Sequence, residues 1–136
     1  MTDPDCIFCK IIARQLPAAI LGEDEYALAF LDIAPFEKGH ALVIPKYHAE
    51  VLSDLPLEWL QRLMPLLQAT GRQLVTGLPC DGFNILQSNG RCATQVVPHV
   101  HFHVVPRWEG RPLSWQAGTY ESPAVMAALA ERLRTV

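Results

Sequence analysis

Residues 98–107 read PHVHFHVVPR and contain three of the chain's five histidines. Strict alternation with apolar residues is the period of a β-strand. In an extended chain His99, His101 and His103 share one face, and Val100, Phe102 and Val104 share the other. The apolar face reads as core. A solvated sheet face usually carries Thr, Lys, Glu or Gln, so a row of imidazoles points to chemistry, histidine being the side chain that changes charge near neutral pH. One candidate is a three-histidine metal site. Strand geometry puts His99 and His103 ~13 Å apart, too far for both to bind one ion through bonds of ~2 Å. The other candidate is work on an anion: the row grips a phosphoryl group while one ring nitrogen attacks phosphorus.

The rest of the chain bounds that chemistry. Its 136 residues suit a single domain, 1–136, and 50% hydrophobic against 18% charged residues describe a globular core. A net charge of -3 with no Lys/Arg cluster lacks the footprint of a nucleic-acid partner. No apolar run reaches the ~20 residues of a membrane-spanning helix. The start, MTDPDCIFCK, has no signal-peptide pattern, so a cytoplasmic location is expected. In a reducing compartment the four cysteines read as metal ligands or free thiols. Cys6 and Cys9 form a Cys-x-x-Cys pair, open to a redox or a metal reading, and no βαβ pattern favours the redox one. Cys80 and Cys92 read as free thiols.

DCIFCKIIARQ reads as a short helix. A hairpin follows, with a strand near Ile20, an acidic turn at 23–25 and a strand from Tyr26 to Leu31. A further strand runs from His40 to Ile44. The main helix lies in SDLPLEWLQRLMPLLQATGRQL, capped by Ser53 or Asp54, with Pro56 in its first turn. Pro65 should kink it or split it in two. DGFNILQS is a strand, RCAT a loop, VVPHVHFHVV the histidine strand, and SPAVMAALAERLR a closing helix. This succession favours an α+β fold with an antiparallel sheet.

The run His-Val-His-Phe-His-Val-Val at 99–105 resembles the signature of the histidine triad (HIT) superfamily. CIFCKIIARQLPA, ALAFLDIAP and GHALVIPKYH resemble the matching blocks of its Hint-like branch, in the same order. The resemblance implies a five-stranded antiparallel sheet with one long helix, an N-terminal short helix and a C-terminal helix, paired into a homodimer. It implies cleavage of a nucleoside monophosphate from a substituent on its α-phosphate, with a purine nucleotide or nucleotide conjugate as ligand. His101 would be the nucleophile, His103 the α-phosphate contact and His40 a fourth histidine orienting the network, with His99 completing the row. Asp32 would accept the ribose hydroxyls, and Phe8, Ile11, Leu16, Phe30 and Ile33 would wall the purine. Gln95 would touch the phosphate side. Ser88 or Asn89 would fill a polar nucleotide-binding position.

The loop departs from the family pattern. Gly-Gln-Ser or Gly-Gln-Thr is replaced by Thr94-Gln95-Val96, so Val96 lacks the hydroxyl that donates a proton to the leaving group. Water or a neighbouring histidine could substitute. The resemblance also implies a structural zinc on Cys6, Cys9, His48 and His99, a closed Cys₂His₂ set. The same residues leave room for a dinucleoside polyphosphate hydrolase, a nucleotide-binding regulatory protein with weak activity, or a zinc-dependent hydrolase.

Overall fold

A computed structural model describes residues 1–136. The elements run α1 (Ile7–Ile12), β1 (Ile20–Glu23), β2 (Ala27–Leu31), β3 (Ala41–Pro45), α2 (Leu57–Gly77), β4 (Gly82–Gln87), β5 (Phe102–Arg107) and α3 (Pro123–Arg134). The five strands form one antiparallel sheet in the order β1-β2-β3-β5-β4. The expected α+β class, long helix and two flanking helices are all present.

Both faces of the sheet are covered at its centre. Every residue of β2 and β3 is buried, as strands packed on both sides require. On one face Ala29, Val43, Phe102 and Val104 pack with Leu63, Leu67 and Leu74 of α2 and Leu133 of α3. On the other, Leu28, Phe30, Leu42 and Ile44 meet Phe8, Cys9 and Ile11 of α1. Strand register places Phe30 opposite Leu42, Leu42 opposite His103, and His103 opposite Leu86. These four residues form one row across the sheet on the α1 face.

The local expectations need four corrections. β5 begins at Phe102, so His99 and His101 precede the strand. The ladder with β3 stops at the Val43–Phe102 pair; before it the Val100 N–H donates to the Ala49 carbonyl, and the Pro45 carbonyl is taken by the His99 ring at 2.9 Å. β2 and β3 each begin one residue later than expected, after Tyr26 and His40. Neither Ser53 nor Asp54 caps α2: residues 52–54 form a separate 3₁₀ turn, and the cap position is Pro56, without a side-chain bond. Pro65 does not divide α2, which runs unbroken for 21 residues. Pro65 lies on the exposed side, where water can satisfy the Gln61 carbonyl that loses its partner. At the C-terminus the expectation holds: Ser122 Oγ accepts the Val125 N–H at 3.2 Å and Pro123 opens α3.

Candidate active site

A cavity of about 680 Å³ opens on the α1 face of the sheet, floored by the row of Phe30, Leu42, Leu86 and His103. His101 and Asp32 line it, as do Phe8, Ile11 and Leu16. Phe8, Ile11 and Phe30 are also core, whereas Leu16 and Ile33 stand exposed at the rim. A larger open groove of about 890 Å³ lies beside α3 and carries no histidine.

The two imidazoles in the cavity are set differently. His101 is 5% exposed, with its ring edge-on to Phe8 at 5.2 Å. Its Nδ1 donates to the His99 carbonyl at 2.7 Å. That bond fixes the tautomer and leaves the Nε2 lone pair free. His103 belongs to a relay. The Phe36 N–H donates to His40 Nδ1 at 3.0 Å, so the proton of neutral His40 sits on Nε2. His40 Nε2 then donates to His103 Nδ1 at 2.9 Å, and His103 carries its own proton on Nε2. The cavity therefore holds one imidazole configured as a nucleophile and one configured as a donor. His40 is 1% exposed and reaches the cavity only through His103.

Asp32 Oδ1 accepts the Ala34 N–H at 2.9 Å, and Oδ2 lies 3.6 Å from His40 Nε2. Gly39, directly before His40, has φ +100°, and a Cβ there would meet Leu78 Cδ1 at 2.5 Å. Glycine is thus required for the turn that delivers His40. Tyr120 Oη accepts the Gly39 N–H at 3.0 Å and pins the same turn.

The remaining expected residues divide. Val96 lines the mouth of the cavity and is 89% exposed. Gln95 does not line it: its amide accepts the Gly90 N–H and donates to the Glu50 and Val97 carbonyls, clamping the loop. Ser88 and Asn89 also lie outside the cavity lining, and Asn89 Oδ1 accepts the Leu52 N–H at 2.6 Å. Phe36 and Trp115, which no sequence motif marks, line the cavity, as does Thr94 of the departing loop. Phe36 stacks on His40 at 5.0 Å, and Trp115 meets Phe36 edge-on at 6.0 Å. Trp115 comes from the segment after β5, and no local pattern marks its return to the site.

His99 is fully buried and outside the cavity, in a second cluster. The sulfurs of Cys6 and Cys9 and the Nδ1 atoms of His48 and His99 lie within 4.8 Å of one another. Four of the spacings are 3.4 Å for Cys6–His99, 3.5 Å for Cys9–His48, 3.7 Å for Cys9–His99 and 3.1 Å for His48–His99. Tetrahedral zinc with ordinary Zn–S and Zn–N bonds needs edges of roughly 3.3 to 3.8 Å. The donors therefore fit a zinc ion. Their outer partners fit too: His99 Nε2 donates to the Pro45 carbonyl, and His48 Nε2 lies 3.8 Å from Asp3 Oδ2. Burial and the neighbouring Cys9 push the Cys6 thiol up to about 11. A bound cation would offset the cost of two buried thiolates.

This constellation is that of a histidine-triad nucleotide-site protein, and residues 13–110 match the HIT domain. The chain belongs to the HIT domain family. It is 45% identical to the adenosine 5′-monophosphoramidase of Saccharomyces cerevisiae over 118 residues, 85% of this chain and 72% of the relative. Among solved structures it superimposes with TM-score 0.89 on a Hit-like protein from Bartonella henselae, 31% identical, covering 99% of this chain and 98% of that one. It matches a Zn-bound histidine triad family protein from Mycobacterium smegmatis with TM-score 0.86 at 39% identity, over 96% and 91% of the two chains. No helix is long and apolar enough to cross a membrane.

Burial lowers the pKa of His40, against partial opposition from Asp32. It takes His103 down to about 3, helped by His101 and His40. A ring with a lowered pKa binds fewer protons folded than unfolded. Its stabilisation is complete above the unfolded value of 6.5 and is lost as pH falls towards the folded one. Melting temperature is therefore expected to drop more steeply below pH 6.5 in the wild type than in His103→Gln. Parallel acid limbs would contradict this account.

Proposed function

We propose that the protein cleaves a nucleoside monophosphate from a nitrogen substituent on its α-phosphate, through a covalent nucleotidyl-histidine. The observation that carries this reading is His101, with Nδ1 held by the His99 carbonyl and Nε2 free beside the donor His103. Nε2 attacks phosphorus as the P–N bond breaks. His103 Nε2–H binds a non-bridging oxygen and stabilises the charge that develops there. His40 keeps that proton in place through His103 Nδ1. Water then hydrolyses the intermediate and frees the monophosphate.

The cavity suits a purine nucleotide. Phe8 and Phe30 offer aromatic rings and Ile11 an aliphatic contact for a base, closed by Leu16 and Ile33 at the rim. Asp32 presents its carboxylate for the ribose hydroxyls. The activity of the yeast relative supports the same reaction class. Cys6, Cys9, His48 and His99 would hold zinc as a closed four-ligand set, leaving no position for a reacting water, so its role is structural. It would join the N-terminal segment to the residue whose carbonyl orients His101.

A homodimer is part of this reading. β4 is an open sheet edge with Phe83 and Ile85 exposed. Phe83 sits over Gly71 of α2. Met64 and Val75 are exposed at helical spacing from that glycine, so the apolar patch extends from the strand edge onto α2. A second copy pairing β4 against β4 would cover it.

Wild-type protein is expected to release AMP from adenosine 5′-phosphoramidate, and His101→Ala to do so at least about 10³-fold more slowly. AMP binding without release in the wild type would move a polyphosphate substrate or a regulatory role to the front. Purified protein should contain zinc by mass spectrometry. Cys9→Ser should lose it, with melting temperature lowered by about 10 °C and a smaller proportional effect on initial turnover. A collapse of turnover without a change in melting temperature would indicate a catalytic metal. Sedimentation should give a dimer for the wild type and a monomer for Ile85→Lys; a wild-type monomer would remove the dimer from this reading.

A further inference from the structure

We propose that Thr94 is the proton donor to the leaving nitrogen, a role that rests on the phosphoramidase reading above. A P–N bond breaks with its electron pair on nitrogen, and an amide-like anion is a very poor leaving group, so a proton must arrive as the bond cleaves. The polar groups lining the cavity are few. His101 is occupied as the nucleophile. His103 has Nδ1 engaged by His40 and Nε2–H assigned to the phosphoryl oxygen. Asp32 accepts from Ala34 and faces His40. The Val96 side chain, at the mouth, carries no exchangeable proton, and the indole N–H of Trp115 is too weak an acid to serve. Thr94 is the only hydroxyl-bearing residue in the lining.

Its backbone makes that placement notable. Thr94 has φ +71° and ψ +21°, the left-handed region where a β-branched side chain is a steric outlier. Glycine would adopt the same conformation without strain. The surrounding loop over-determines it: the Thr94 N–H donates to the Arg91 carbonyl, the Gln95 N–H donates to Gly90, and the Gln95 amide ties Gly90 to residue 50. Strain held this rigidly at the edge of a reaction cavity is best accounted for by use of the side chain. The hydroxyl rests on the Ala93 carbonyl and is exposed, so rotation about χ1 frees it while leaving it in contact with solvent.

Protons and bonds balance across the two half-reactions. In the first, the bond from His101 Nε2 to phosphorus forms and the P–N bond to the leaving group breaks. Thr94 Oγ1–H passes its proton to that nitrogen and takes one from solvent. In the second, water attacks phosphorus, the P–Nε2 bond breaks, and the proton released returns to solvent. Thr94 is regenerated and the net reaction consumes one water.

Rapid-quench measurement of nucleotidyl-enzyme formation tests this with two substrates. Adenosine 5′-phosphoramidate needs a proton on its leaving group; the p-nitrophenyl ester of AMP loses a phenolate and does not. Thr94→Gly removes the hydroxyl and relaxes the backbone, so folding is preserved. It is expected to slow the phosphoramidate about a hundredfold more than the ester, and Thr94→Ser to restore most of the difference. Equal effects on both substrates, or none, would overturn the role of Thr94 while leaving the phosphoramidase reading intact. Failure of the wild type to react with either substrate would overturn both.

Discussion

The hydrogen bond from His101 Nδ1 to the His99 carbonyl, 2.7 Å long and buried, joins the two halves of this structure. On one side is a cluster of two thiols and two imidazoles, in which the His99 side chain takes part. On the other is the cavity into which the free nitrogen of His101 is turned. One residue thus serves both, through different atoms. Because its ring is held by the Cys6, Cys9 and His48 donors and by Pro45, its carbonyl has little freedom. A nucleophile oriented by a backbone group is only as well placed as that backbone. The cysteine-histidine cluster and the Val100 N–H bond to the Ala49 carbonyl hold this segment, which has left the ladder.

The second imidazole is set by a different route. A single backbone donor, the Phe36 N–H, forces His40 into one tautomer, and His40 forces His103 into one in turn. Protonating His40 on both nitrogens would put two donors face to face, so the relay works only with neutral rings. Burial supplies that condition by lowering the pKa values of both. Stacking of Phe36 on His40 excludes water from the relay and adds to the same effect.

The sheet carries both arrangements because its central strands are buried on two sides. The α2 face holds the larger core and gives stability. The α1 face is thinner, and where α1 ends the apolar row of Phe30, Leu42 and Leu86 is left as a floor with His103 set in it. The cavity is a stretch of core surface that the short helix does not cover.

The alternation of histidine with apolar residues determined, by backbone geometry alone, that Val100, Phe102 and Val104 would enter one core and that the imidazoles would share the opposite side. Resemblance over three blocks and the triad run pointed to Asp32, His40, the apolar lining and the four sulfur and nitrogen donors, which the structure brings into the cavity and the buried cluster. Tertiary structure decided the rest, for identifiable reasons. Whether Pro65 breaks a helix depends on the side of the helix it takes, and it takes the exposed side. Gln95 and Asn89 bond to backbone at Glu50 and Leu52, distant in sequence, and so serve the loop instead of the cavity. Trp115 enters the site through a chain return that leaves no local pattern and meets Phe36 edge-on there. The strained φ of Thr94 comes from hydrogen bonds closed by its neighbours. Periodicity and spacing are local properties of the covalent chain. Tautomers, clamps and strain arise from groups that only folding brings together.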